Sequence, residues 1–365
     1  MTKKIALFVC LFLSIIFNGG KAAEEKNLLV GYLNPAIEYQ GRIDTSTAEG
    51  AKLYWSGTSI KLNFEGCAIK ALFREKKGDN YYNVFVDNNE PFILRPDTTK
   101  KYYQLASNLS VGKHSVLIFK RTEWNRGEAV FGGFEIDGSA KVLPKDPAKS
   151  KKIEFYGNSI SAGYAVEDTS GRDRSDSTFT NNYLSYTAII ARHYNAQYRC
   201  ICKSGIGITI SWFPIIMPEI YDRINPEDSS SRCDFSQYEP DVVVVNLFQN
   251  DSWLVKMPQR AEFKANFGTI PPSDEYLINA YQKFVASIRG HYPKAKIICI
   301  LGSMDATKKG SQWPGYIKSA VANLHDSGIY THFIPFKNTS GHPSIKEQQD
   351  MANNLIEFID KNIEW

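Results

Sequence analysis

The chain has 365 residues, 43% of them hydrophobic and 13% aromatic, and a formal net charge of +4. That length accommodates two domains, each able to bury its own core. Lys and Arg number 43 against 39 Asp and Glu, a near balance that gives no electrostatic case for a nucleic-acid partner.

The chain begins Met1-Thr2-Lys3-Lys4, continues with an apolar run from Ile5 to Phe17, and reaches small residues at Ala22 and Ala23. A basic start, a short apolar stretch and a small-residue site predict a secretory signal peptide over residues 1–22, with the mature chain starting near Glu24. The run is too short for a membrane span, so the expectation is a secreted or periplasmic protein with no membrane partner. Removing Lys3, Lys4 and Lys21 lowers the formal charge to about +1. Cys67, Cys200, Cys202, Cys233 and Cys299 remain, odd in number and irregularly spaced. They read as core thiols, with a bridge involving Cys233 left open and no support for a metal site.

From 24 to 143 the pattern is short strands broken by Gly, Asn and Asp. Strands are predicted at 52–55, 59–64, 68–73, 81–86, 92–94, 114–120 and 129–136, with Asp87-Asn88-Asn89-Glu90 as a hairpin turn. Such a series with no helical stretch predicts an all-β jelly-roll sandwich, either a packing partner or a sugar-binding platform. The Pro-containing segment 144–150 reads as a linker.

Residues 151–365 alternate strand and helix. Strands are expected at 153–156, 198–202, 241–247, 296–301 and 330–335. Helices are expected at 182–194, 275–289, 316–326 and 345–363, the last opened by the capping box Ser344 to Glu347. This is the pattern of a parallel sheet covered by helices on both faces, a three-layer α/β domain. The long Ser/Asp/Arg-rich loop from Glu167 to Asn181 is expected to overhang the sheet edge.

Four pieces fall at strand ends: Gly157-Asn158-Ser159, Ser204-Gly205-Ile206-Gly207, Asn250-Asp251 and Gly341-His342-Pro343-Ser344. Taken singly they also read as local structure: strand-end turns, an Asx turn, and a histidine ahead of a helix cap. Taken in order they supply an ester hydrolase. Ser159 is the nucleophile and His342 the base, while the N–H groups of Ser159 and Gly207 with the Asn250 amide form the oxyanion hole. Trp253 and Trp212 follow these blocks closely and are candidates for stacking on a sugar ring.

The blocks resemble those of the SGNH hydrolases. Together with Tyr54-Trp55-Ser56-Gly57-Thr58-Ser59-Ile60 and Phe131-Gly132-Gly133-Phe134-Glu135-Ile136-Asp137-Gly138, they are similar to carbohydrate esterase family 2. The resemblance implies a secreted serine esterase that removes acetyl groups from xylan- or mannan-type plant polysaccharides without metal or cofactor. It departs from the family pattern at three points. Asn158 stands where Asp is usual, Phe248 stands where Gly is customary, and Ser340 and Thr339 stand where many members place an acid before the histidine. If no other carboxylate reaches His342, the site is a Ser-His dyad with a backbone carbonyl orienting the imidazole; Asp251 and Asp305 are candidates for a distant third member, and the sequence leaves the choice open. Alternatives are a catalytically weakened carbohydrate-binding protein and a lipase or thioesterase of the same superfamily.

Overall fold

Along Ser59–Glu65 and Ile69–Glu75 buried side chains alternate with partly exposed ones, which makes each a strand with one face toward a core. The computed structural model describes residues 27–365 apart from Asn88 and Ser139; the expected signal peptide lies outside the described residues. Two six-stranded antiparallel sheets form the first half. One orders 43–44, 51–53, 129–136, 69–75 and 101–106, with 28–31 paired onto 129–136. The other orders 141–142, 59–65, 113–120, 82–86 and 92–94, with 38–40 paired onto 59–65. Leu62, Phe64, Phe73, Val84, Ile118 and Phe131 fill the space between them. All seven predicted strands are present, and five short ones are added. Lys101–Ala106 is the most instructive addition. It is an edge strand with mostly exposed side chains, so no alternation marks it.

The second half is a five-stranded parallel sheet in the order 197–202, 152–157, 242–246, 296–301 and 329–333. Val242–Asn246 is buried along its whole length, as a parallel strand covered on both faces must be. Two 18-residue helices, Asp274–His291 and Ile345–Asn362, cover opposite faces. The first is capped by Ser273 and buries Leu277, Tyr281, Phe284 and Ile288; the second opens with the Ser344–Glu347 capping box. The helix expected at 182–194 is divided. A 3₁₀ turn at Asn182–Leu184 precedes Tyr186–His193, because the Ser185 side chain caps the second piece at Ala188. Among the described residues no helix is long and apolar enough to cross a membrane. The five described cysteines are free thiols, Cys233 included.

In this strand order the chain leaves Lys152–Gly157 toward one side of the sheet and later returns to the other, so a crevice opens at its carboxyl end. Ser159 stands at that crevice. The sandwich is joined to this same strand through a shared interior. Tyr54, Trp55 and Trp124 lie in one apolar cluster with Tyr156, Ile201 and Phe248. Trp55 Nε1 donates to the carbonyl of Ile224 at 2.9 Å. Arg42 Nη2 reaches Glu154 Oε1 at 2.9 Å with neither side chain exposed, and also donates to the Tyr156 hydroxyl at 3.1 Å.

Burial alone would raise the Glu154 pKa, but Arg42 and the neighbouring donors outweigh it and hold the carboxyl below its usual range. Its contribution to stability is therefore complete above the unfolded pKa of about 4.3 and is lost as pH falls through the folded value. Arg42→Ala, which strands a buried carboxylate, is expected to cost about 3–5 kcal/mol in denaturant unfolding at neutral pH. Arg42→Met combined with Glu154→Met is expected to cost less than either single change and to flatten the acid limb of Tm against pH.

Candidate active site

The strand Lys152–Gly157 runs into a single helical turn, Ser159–Ala162. Asn158 caps that turn, its Oδ1 accepting the Ile160 N–H at 3.0 Å. Ser159 is thereby held at the turn's first position with its own N–H facing out of the helix start. His342 comes from the loop before the C-terminal helix, and its Nε2 lies 2.7 Å from Ser159 Oγ. The Tyr164 ring packs edge-on against the imidazole, with centroids 4.9 Å apart.

The acid is Asp173, from the long loop expected to overhang the site. Its Oδ2 stands 2.8 Å from His342 Nδ1, and its Oδ1 accepts the His342 backbone N–H at 2.7 Å. The Nδ1–H points off the line of an ideal hydrogen bond, since this nitrogen has no well-aligned acceptor. Partial burial raises the Asp173 pKa, but the contacts to His342 outweigh that and keep the carboxylate below its usual range. A carboxylate at Nδ1 puts the ring proton there and leaves Nε2 free to accept from Ser159. The choice the sequence leaves open thus falls to a Ser-His-Asp arrangement, with an acid that was not among the sequence candidates.

Asp173 adopts a left-handed backbone at φ 55°, a conformation Asp tolerates. Gly341 makes room for it. At φ +69°, a Cβ on Gly341 would come 2.8 Å from Asp173 Oδ1 and 3.1 Å from the Gly171 carbonyl. The loop is folded on itself by Asp168, which accepts from Ser170 and Arg174. The sandwich grips it through Arg126 to the Ser175 carbonyl at 2.8 Å and Asp79 to the Ser177 hydroxyl at 2.8 Å.

The two acids considered from sequence have other work. Asp251 is fully buried and accepts the N–H groups of Ile208 at 3.1 Å and Thr209 at 2.7 Å, so it pins the loop after the second strand. Asp305 accepts from Trp253 Nε1 and Gln249 Nε2, each at 2.9 Å. Neither contacts His342.

The residues expected as oxyanion donors divide. Asn250 sits on the helix Gln249–Leu254 rather than in an Asx turn. Its Nδ2 donates to the Ile206 carbonyl at 2.7 Å, and its Oδ1 accepts from Trp212 Nε1 at 3.0 Å. Trp212 thus fixes the amide's orientation, and the Arg260 guanidinium lies 4.6 Å from the centre of its ring. Gly207 departs from the sequence expectation. Its N–H donates to Ser211 Oγ at 3.0 Å and the glycine is buried, so it is no free donor. Two residues earlier Gly205 is partly exposed, at φ +83°, and its N–H has no acceptor among the described residues. Phe248 does not reshape the pocket. It takes the left-handed conformation natural to Gly at φ +84°, and its ring is buried between Tyr281 and Trp313 at centroid distances of 4.8 and 5.0 Å.

A model of the Carbohydrate esterase 2 N-terminal family matches residues 39–145. The chain is 34% identical over 343 residues to the cellulase/esterase CelE of Acetivibrio thermocellus, covering 91% of this chain and 40% of that protein. It therefore spans less than half of that relative's length. It is 23% identical over 340 residues to an acetylxylan esterase/glucomannan deacetylase of Cellvibrio japonicus, covering 91% of this chain and 90% of the relative. The structure of a family two carbohydrate esterase from Clostridium thermocellum in complex with cellohexaose matches at 34% identity and a TM-score of 0.78, covering 89% of this chain and 98% of that one.

Asp173→Asn is expected to lower kcat on a small acetyl ester by a hundredfold or more, roughly, since an amide cannot hold the same tautomer of His342. Gly341→Ala is expected to lower kcat about tenfold through the displaced carboxylate, with KM and the far-ultraviolet circular dichroism spectrum unchanged. Steady-state kinetics of the two variants check both.

Proposed function

The chain belongs to the family two carbohydrate esterases, and from that premise we propose that it is a secreted serine esterase removing O-acetyl groups from xylan- or glucomannan-type polysaccharides. The observation that carries the proposal is the 2.7 Å contact between Ser159 Oγ and His342 Nε2 at the sheet's crevice. Ser159 attacks the acetyl carbonyl as His342 takes its proton. The tetrahedral oxyanion is received by the N–H groups of Ser159 and Gly205 and by the second Nδ2 hydrogen of Asn250. His342 then gives the proton to the sugar oxygen as its bond to the acetyl carbon breaks, so the sugar leaves as a free hydroxyl and an acetyl-enzyme remains; water repeats the sequence to release acetate and free Ser159. Asp173 acts through His342 as its positioning acid. The reading as a purely binding protein drew on an absent acid and on Phe248, and both motives lose their force.

Acetate release from acetylated xylan and glucomannan tests the proposal. It is expected to fall by about 10³-fold or more in Ser159→Ala and in His342→Ala, without loss of folded protein. Release by Ser159→Ala at the rate of the unaltered chain would overturn it. Asn250→Ala is expected to cost about 10²–10³ in kcat, the usual loss for one oxyanion donor.

A further inference from the structure

The loop that offers Gly205 is held from the sandwich, at one residue. Glu123 lies just beyond the strand Lys113–Lys120 and is 4% exposed. Its Oε2 accepts the Ser204 backbone N–H at 2.7 Å and lies 3.5 Å from Lys203 Nζ, while its Oε1 accepts the Ser204 hydroxyl. Lys203 Nζ also donates to the Ser204 carbonyl at 3.1 Å. Its ammonium is flanked by Phe213 at 5.0 Å and Trp124 at 5.8 Å from the ring centres. The Ser204 carbonyl and the Gly205 N–H belong to one peptide plane. In a trans peptide these two groups point in opposite directions, so an ammonium fixed on the carbonyl sets the direction of the N–H.

We propose that Glu123, through Lys203, is a positioning residue that orients and polarises the 204–205 peptide as an oxyanion donor, so that the jelly-roll half forms part of the catalytic apparatus. The proposal rests on the serine-esterase reading and on Gly205 as the donor. Glu123 grips the peptide before the donor, and Lys203 grips the donor's own peptide at the far end. The carboxylate keeps the ammonium from turning outward, because both are enclosed and the nearest other anchor is the Ser204 carbonyl itself. An ammonium on that carbonyl also draws electron density along the amide and strengthens the N–H as a donor, as charge-assisted hydrogen bonds do in buried networks.

Glu123→Gln keeps an acceptor near Ser204 and removes the charge that holds Lys203. Lys203→Met keeps the apolar stem between Trp124 and Phe213 and removes the donor to the Ser204 carbonyl. For each, kcat on p-nitrophenyl acetate per site titrated by a fluorophosphonate is expected to fall about 10- to 100-fold, with KM within about twofold. Binding of phenylboronic acid, which forms a tetrahedral adduct on Ser159, is expected to weaken by a similar factor. Unchanged kcat per titrated site in both variants overturns the proposal, as does a fall in kcat with unchanged boronate affinity. If one variant does not fold, the other decides by the same two readings. Full hydrolysis by Ser159→Ala would instead overturn the esterase reading, whatever Glu123 does.

Discussion

The pairing of Arg42 with Glu154 is the constraint from which the rest of the architecture follows. Glu154 lies in the strand that delivers the nucleophile, and Arg42 comes from the sandwich. Both are fully enclosed, so either alone would be a charge in a low-dielectric interior. The two halves must therefore meet in one register. That register places Trp55 and Trp124 in the apolar cluster that also buries Tyr156 and Phe248. It also brings the end of the strand Lys113–Lys120 up to the rim of the crevice.

From that fixed junction the sandwich holds two loops at the rim of the crevice. Arg126 and Asp79 tie down the loop bearing Asp173. Glu123 ties down Ser204, beside Gly205. The α/β sheet on its own supplies a serine, a histidine and an asparagine at the ends of its strands. The precision of the remaining groups comes from outside it. An active site made of loops needs such a shell, because loop backbone without packed neighbours has no single geometry to offer.

How much of this was legible in the sequence follows from the range of the interactions. The parallel strands were readable because burial on both faces gives continuous apolar runs such as Val242–Val245. Ser159 and His342 were readable because each sits beside a strong local signal, a strand end and a capping box. Asp173 was hidden. It lies 169 residues from His342 and is joined to it only when the loop folds across the crevice. The one available signal was the length and Asp/Arg/Ser content of that loop, which marks a structured overhang but names no residue. Gly207 misled for a related reason. Two glycines two residues apart look alike in a sequence, and only the hydrogen bond to Ser211 separates the engaged N–H from the free one. Phe248 is unreadable because a residue's identity does not fix its side-chain direction. The backbone keeps the glycine-like conformation and sends the ring into the core.

The placement of the acid on a loop far from its histidine bears on how such proteins are told apart. A survey that sorted chains by the two or three residues ahead of the histidine would file this one among those lacking an acid, on the strength of Thr339 and Ser340. Yet the carboxylate stands at the imidazole nitrogen, supplied by another part of the chain. The position before the histidine does other work here, the Thr339 hydroxyl donating to Glu347 at the start of the C-terminal helix. The carboxylate's place depends on a pair with no sequence adjacency: an aspartate at 173 and a residue without a side chain at 341.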